Sequence, residues 1–252
     1  MHARLDNARS ILSNEPLSRN AAVERTGTKD DGSCIFFTSY IPVSRMHVPD
    51  IKHLHGSSCT NLVSMHLPGE MVFICETERV LIRPLSLNDL SSVTEILGDP
   101  EVMKHSVRGV CDEAAARKFI EWCLSCYKSH GVGPWVLVEK ESLDLIGFCG
   151  VGPERVGDTE EINLGYRLAR RFWGAGLATE SACAALAYAF EVKAFRSVVV
   201  MIEPEHVASM RVAEKAGFCG FQNVQFHGRE VRLYRMRCDE WTSSRKAAHP
   251  PK

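Results

Sequence analysis

The segment "RRFWGAGLATESACAA" (170–185) puts Gly174 and Gly176 behind Trp173 and then enters an alanine-rich stretch with helical patterning from Leu177. A run that reads as a strand, "EINLGYRL", comes just before it, so the two glycines fall where a strand stops and a helix begins. The first N–H groups of a helix lack intrahelical carbonyl partners, and the positive end of the helix dipole strengthens their field. A glycine turn that feeds such a start can hold an anion, and phosphate suits it. Glycines also serve simply to let a chain turn, and a short glycine pattern decides nothing alone. The elements around it have to decide.

The chain has 252 residues, 45% hydrophobic and 24% charged, with a formal net charge of −1. That is the composition of an ordinary globular protein, enough for one good core plus an extension. A balance so near zero gives no electrostatic reason to expect nucleic acid or an anionic membrane as partner. No apolar run approaches the roughly 20 residues that span a bilayer. The first residues lack the apolar core of a secretory leader, and Asp6 and Glu15 argue against a transit peptide. The expected compartment is the cytoplasm.

Ten cysteines are scattered along the chain. Cys123 and Cys126 make one C-x-x-C, but Phe119, Ile120, Cys123, Cys126 and Tyr127 share a helical stripe, which reads as core packing. No second pair completes a zinc site, and the spacing of His53, His55, Cys59 and His66 matches no ligand pattern. No metal is expected.

Residues 1–70 are weakly periodic and rich in Ser, Asn, Thr and His. They are expected to be an extension, poorly ordered or not made in the cell, ahead of a domain over 71–242 and a tail over 243–252. In the domain, Arg79 to Arg83 alternates as a strand and Pro84 ends it, with Ser86 or Asn88 placed to cap the next helix. "GDPEVMKH" reads as a turn between helical pieces, and Asp112 and Glu113 open a helix that reaches about Ser129. "GPWVLVEKESLDLIGFCGVGP" reads as a hairpin. "FRSVVVMIEP" is an apolar strand buried on both faces, a helix comes after it from about Val207 to Ala216 and ends at Gly217, and a last hairpin turns near His227 and Gly228. Strand, helices, three strands, helix, strand, helix and two strands make an α+β, or mixed α/β, domain.

The combination of "EINLGYRLARRFWGAGLATESA" with "VASMRVAEKAGF" resembles the GNAT superfamily of acetyl-CoA-dependent N-acetyltransferases. Within it, the ribosomal-protein N-terminal serine/alanine acetyltransferase branch looks closest, and the match runs from about Glu76 to Trp241. The resemblance implies a mostly antiparallel sheet of six to seven strands flanked by helices, with acetyl-CoA as co-substrate. It implies that Trp173, Gly176 and Ala178 fill the phosphate-loop pattern and that backbone N–H groups of Gly174, Ala175, Gly176, Leu177, Ala178 and Thr179 hold the coenzyme pyrophosphate, with Trp173 and His206 also at the coenzyme. It also implies that Tyr166, Arg167 and Leu168 pair their main chain with pantetheine amides, in a gap between splayed strands.

The chain departs from the family at two positions. His206 stands where Asn is common, and Ala213 where many relatives carry a Tyr that protonates the leaving thiolate. The resemblance passes that role to Ser209, which as an N-terminal helix serine can equally bond to backbone. Asn163 occupies a position that is often acidic in relatives, and Glu160, Glu161, Glu203, Glu205, His227 and Glu230 remain open as bases. A protein α-amine, with pKa about 7.7–8.0, is roughly 9–17% unprotonated at pH 7, whereas Lys is well under ~0.1%. A site without an evident strong base therefore favours α-amines.

These residues imply a transferase that moves acetyl to a primary amine, a protein N-terminus first, by direct attack in a ternary complex. An enzyme for small amines such as aminoglycosides or polyamines, or a coenzyme A-binding module without chemistry, are the alternatives. The protein is expected to act as a monomer or homodimer.

Overall fold

The computed structural model describes residues 73–248, with side chains through 244. The extension over 1–70, with His53, His55, Cys59 and His66, lies outside the described residues. Eight strands form one sheet: β1 (Cys75–Glu76), β2 (Val80–Pro84), β3 (Pro134–Glu139), β4 (Leu145–Val156), β5 (Thr159–Leu168), β6 (Ser197–Ile202), β7 (Gln222–Phe226) and β8 (Arg229–Arg237). Their order is β1-β2-β3-β4-β5-β6-β8-β7. Every neighbouring pair is antiparallel except β5 and β6. The seven strands read from sequence are all present; the eighth is the two-residue β1, too short to show an alternation.

The period of two along β3 sorts its side chains to two cores. Trp135 and Leu137 face a cluster with the helix α4 (Leu177–Ala187). Val136 faces the other way, onto α1 (Leu90–Gly98) and α3 (Glu113–His130), where Phe119, Ile120 and Cys123 are buried. Helices therefore cover both faces of the sheet, as a mixed α/β pattern requires. The C-x-x-C cysteines are reduced side chains buried in this core.

Local signals explain the helix ends. The Asp112 side chain accepts from Ala115 N–H at 2.8 Å, and Gly131 ends α3 at φ 65°. Within "GDPEVMKH", the expected turn contains one short helix, α2 (Pro100–Met103), because Asp99 caps it by accepting from Glu101 N–H and Pro100 presets its first turn. α5 (Val207–Lys215) stops before Gly217, whose φ is 99°.

Past β8 the chain does not trail off at 243. It continues as α6 (Cys238–Ala248), anchored by Trp241, which stacks on Phe190 at 5.7 Å between ring centroids. A single buried aromatic leaves no periodic signature in a short polar segment. Among the described residues, no helix is long and apolar enough to cross a membrane.

Candidate active site

Two elements create the cleft. β4 and β5 stay paired along their whole overlap, from Val156↔Thr159 to Gly147↔Leu168. β5 and β6 run parallel and share only one registered pair, Asn163↔Val199. Beyond it the strands part, which leaves the β6-facing edge of Leu164 to Leu168 without a sheet partner. The buried Asn163 side chain sits at this branching point, and its Oδ1 has no hydrogen-bond partner among the described residues.

The loop at the mouth comes directly after β5. Gly174 and Gly176 hold φ of 79° and 81°, a left-handed conformation that costs an ordinary residue roughly 1–2 kcal/mol. Gly176 is the N-cap of α4, and the first intrahelical bond runs from Glu180 N–H to Gly176 C=O. The N–H groups of Leu177, Ala178 and Thr179 therefore have no intrahelical acceptor, and Gly174, Ala175 and Gly176 are exposed beside them. Trp173 lies half-exposed over the loop and donates its indole N–H to Leu168 C=O at 2.8 Å. Successive free N–H groups around glycines, aligned with a helix dipole, suit a diphosphate.

A clamp that leaves no local trace in the sequence fixes this loop from outside. Arg79, just before β2, donates Nη1–H to Ala175 C=O at 2.8 Å and pairs Nη2 with Glu180 Oε2 at 2.6 Å. Glu180 also accepts from Arg79 N–H at 2.9 Å and from the Thr77 hydroxyl at 2.5 Å. Burial raises the Glu180 pKa, but these donors outweigh it and lower it overall. With its carbonyl turned to Arg79, the Ala175–Gly176 peptide aims its N–H the opposite way.

At the other side of the cleft, the hydroxyls of Tyr166 and Ser209 lie 2.5 Å apart. The phenol also donates to Ser209 C=O at 3.2 Å. Burial pushes the Tyr166 phenol above its usual range, so the ring stays neutral and can donate a proton. Ser209 is buried in the first turn of α5, and its hydroxyl meets the phenol. The sequence assigns only main chain to the role of Tyr166; its side chain points to the helix that carries Ser209.

His206 is the N-cap of α5, and its ring stacks on His105 at 4.1 Å between centroids. Burial first, then the charges of His105 and Arg167, lower its pKa to about 4, so it is neutral at physiological pH. The Arg167 guanidinium reaches the sulfur of Met103 in α2. Of the open acidic positions, Glu161 is bound by Arg235 at 2.7 and 2.8 Å, while Glu160, Glu205 and Glu230 are exposed, as is His227 at the tip of the last hairpin.

The fold and this cleft define a class. The family described as "Acetyltransferase (GNAT) domain" matches residues 79–219, and the chain belongs to it. The protein is an acetyl-CoA-dependent N-acetyltransferase that acts on an amine. It is 31% identical to the uncharacterized protein YkkB of Bacillus subtilis (strain 168) over 159 residues, covering 63% of this chain and 92% of that one. The aminoglycoside acetyltransferase AAC(6')-Ib in complex with coenzyme A superposes with a TM-score of 0.56 at 17% identity, covering 66% of this chain and 99% of that one. The ribosomal-protein-S5-alanine acetyltransferase from Vibrio fischeri gives a TM-score of 0.52 at 15% identity, covering 66% and 97%. At such identities the likeness to these two is one of fold.

Proposed function

We propose that the protein acetylates protein N-terminal α-amines, by direct attack of the amine on acetyl-CoA bound in the cleft. The observation that carries this reading is the parted edge of β5, with the phosphate-type loop at its end and the Tyr166–Ser209 hydroxyl pair beside it.

The main-chain N–H groups from Gly174 to Thr179 hold the pyrophosphate, with Trp173, whose own N–H is bonded to Arg170 C=O, at the head of the loop, and Tyr166, Arg167 and Leu168 offer their edge to the pantetheine amides. His206, kept neutral, lines the same path. N–H groups around Leu164 to Tyr166 stabilise the oxyanion as the amine attacks. Ser209 gives the departing thiolate its proton, and the Tyr166 phenol resupplies it. The residues present therefore fit acetyl-CoA.

The preference for α-amines rests on amine chemistry: a nucleophile that is already partly unprotonated at pH 7 asks least of the site. The likeness of "EINLGYRLARRFWGAGLATESA" and "VASMRVAEKAGF" to the ribosomal-protein branch points the same way. No disulfide joins the eight described cysteines, and five of them are buried, which supports a reducing compartment, the cytoplasm. Free-thiol release, measured with acetyl-CoA against a panel of N-terminal peptides, aminoglycosides and polyamines, tests the reading. Turnover with peptides is expected; turnover confined to small amines would overturn it, and none with any amine would mark a binding module.

A further inference from the structure

A second group of side chains, apart from the loop and the hydroxyl pair, meets at the end of β6. His105, on the turn after α2, sets its Nδ1 3.0 Å from Glu203 Oε2. Both are four-fifths shielded, with side-chain exposures of 22% and 18%. Arg229 of β8 holds the other oxygen of Glu203, so the carboxylate cannot swing away. Burial raises the Glu203 pKa, but the bonds from His105 and Arg229 outweigh it and keep the group ionised. The His206 ring lies against His105 at 15° between planes. His206 opens α5, and its carbonyl accepts Ser209 N–H at 3.1 Å, one turn from the hydroxyl pair.

We infer that His105 is the general base for the attacking amine and that Glu203 is its positioning residue. The inference rests on the acetyltransferase reading above and supplies the proton acceptor which that reading lacks. With Nδ1–H given to the carboxylate, Nε2 carries the lone pair, and the carboxylate stabilises the imidazolium that forms. The ring has little room to turn, because His206 covers one face and Glu203 fixes one edge. The groups that face it are Glu203 just past β6, the neutral His206 at the N-cap of α5, Arg229 from β8 through Glu203 and Arg167 from β5 through His206; Lys104 and Arg108 are the charged residues nearest it on its own segment.

In the transfer, the amine nitrogen's lone pair forms the bond to the thioester carbon, and its N–H proton passes to Nε2 of His105. The C–S bond breaks with its electron pair on sulfur, which takes a proton from the Ser209–Tyr166 pair. The imidazolium then releases its proton to solvent and the hydroxyl pair regains one, leaving the amide and the free thiol of coenzyme A.

The test uses the full chain, acetyl-CoA and a peptide with a free N-terminal alanine, measuring thiol release from pH 6 to 9. His105→Asn should lower kcat/KM about 100-fold at neutral pH, with KM for acetyl-CoA kept within about twofold. The deficit should shrink toward pH 9, where the amine sheds its own proton, and added imidazole should restore part of the rate to His105→Ala. Glu203→Gln should cost about tenfold, as the loss of a residue that orients a histidine does. An unchanged rate in His105→Asn, or a deficit equal at every pH without imidazole rescue in a folded variant, would overturn the inference. If the native protein spares the peptide and acetylates another amine, the acceptor reading fails, while that amine tests His105 in the same way. If it acetylates none, both fall.

Discussion

The mouth of the cleft, under Trp173 to Thr179, offers main chain, whereas its other side, from Tyr166 and Ser209 to His105 and Glu203, offers side chains. The difference matters because acetyl-CoA is constant and the acceptor is not. A diphosphate needs N–H groups and a dipole, which glycines at φ 79° and 81° and a helix start provide whatever the neighbouring side chains are. Proton transfer needs particular atoms at hydrogen-bond distance, gathered here from β5, the residue after β6, α5 and the turn after α2. One side is tuned by backbone conformation, the other by which side chains the fold brings together.

The sharpest way to break this division is to place a side chain in the loop. Gly176→Val puts a β-branched residue at φ 81°, with its Cβ 3.5 Å from Arg79 Nη2. Coenzyme A affinity should fall on the order of 100-fold, about 2.7 kcal/mol, in a chain that still unfolds cooperatively. Calorimetry that finds native affinity would remove the loop from the site. The reciprocal change, Ser209→Ala, should cost kcat about 30-fold and leave coenzyme A affinity within about twofold, since the phenol remains as a poorer donor. Equal losses in rate and affinity would make Ser209 a packing residue.

Arg79→Gln tests whether the loop's main chain needs its outside clamp. Freed from Ala175 C=O and Glu180, the loop should bind coenzyme A about tenfold more weakly at unchanged kcat. Stability should change by less than about 1 kcal/mol, because the pair is exposed on the arginine side. A large drop in melting temperature with unchanged affinity would reduce the clamp to scaffolding.

The side-chain half should also be the more sensitive to acid. His206 has a folded pKa of about 4 against about 6.5 unfolded, so below pH 6.5 the unfolded chain binds the extra proton. Its contribution to stability is full above pH 6.5 and is lost as pH falls toward 4. His206→Asn should therefore lose less melting temperature between pH 7 and 5 than the native chain does. The smallest effect is expected from a chain that begins at Met71, which should bind coenzyme A as the full chain does.

These two sides also differ in how far the sequence reveals them. Gly174, Gly176 and the alanine-rich helix lie within fifteen residues, so their joint meaning is local and legible, as are the strands with a period of two. Arg79 and Glu180 stand 101 positions apart, and His105 and Glu203 stand 98 apart. Before the fold is known, each is one charged or polar residue among many. Tyr166 shows the intermediate case: its place on β5 is legible, but the partner of its hydroxyl depends on how α5 crosses the parted strands.

The central claim concerns which nitrogen is acetylated. A peptide with a free N-terminal alanine and one internal lysine presents both kinds of amine to the same site at equal concentration. After incubation with the native protein and acetyl-CoA, tandem mass spectrometry locates the added acetyl group. The account predicts acetyl on the α-amine, with the lysine unmodified at neutral pH. Acetyl on the lysine alone, or a peptide untouched by a protein that acetylates aminoglycosides or polyamines, would contradict it.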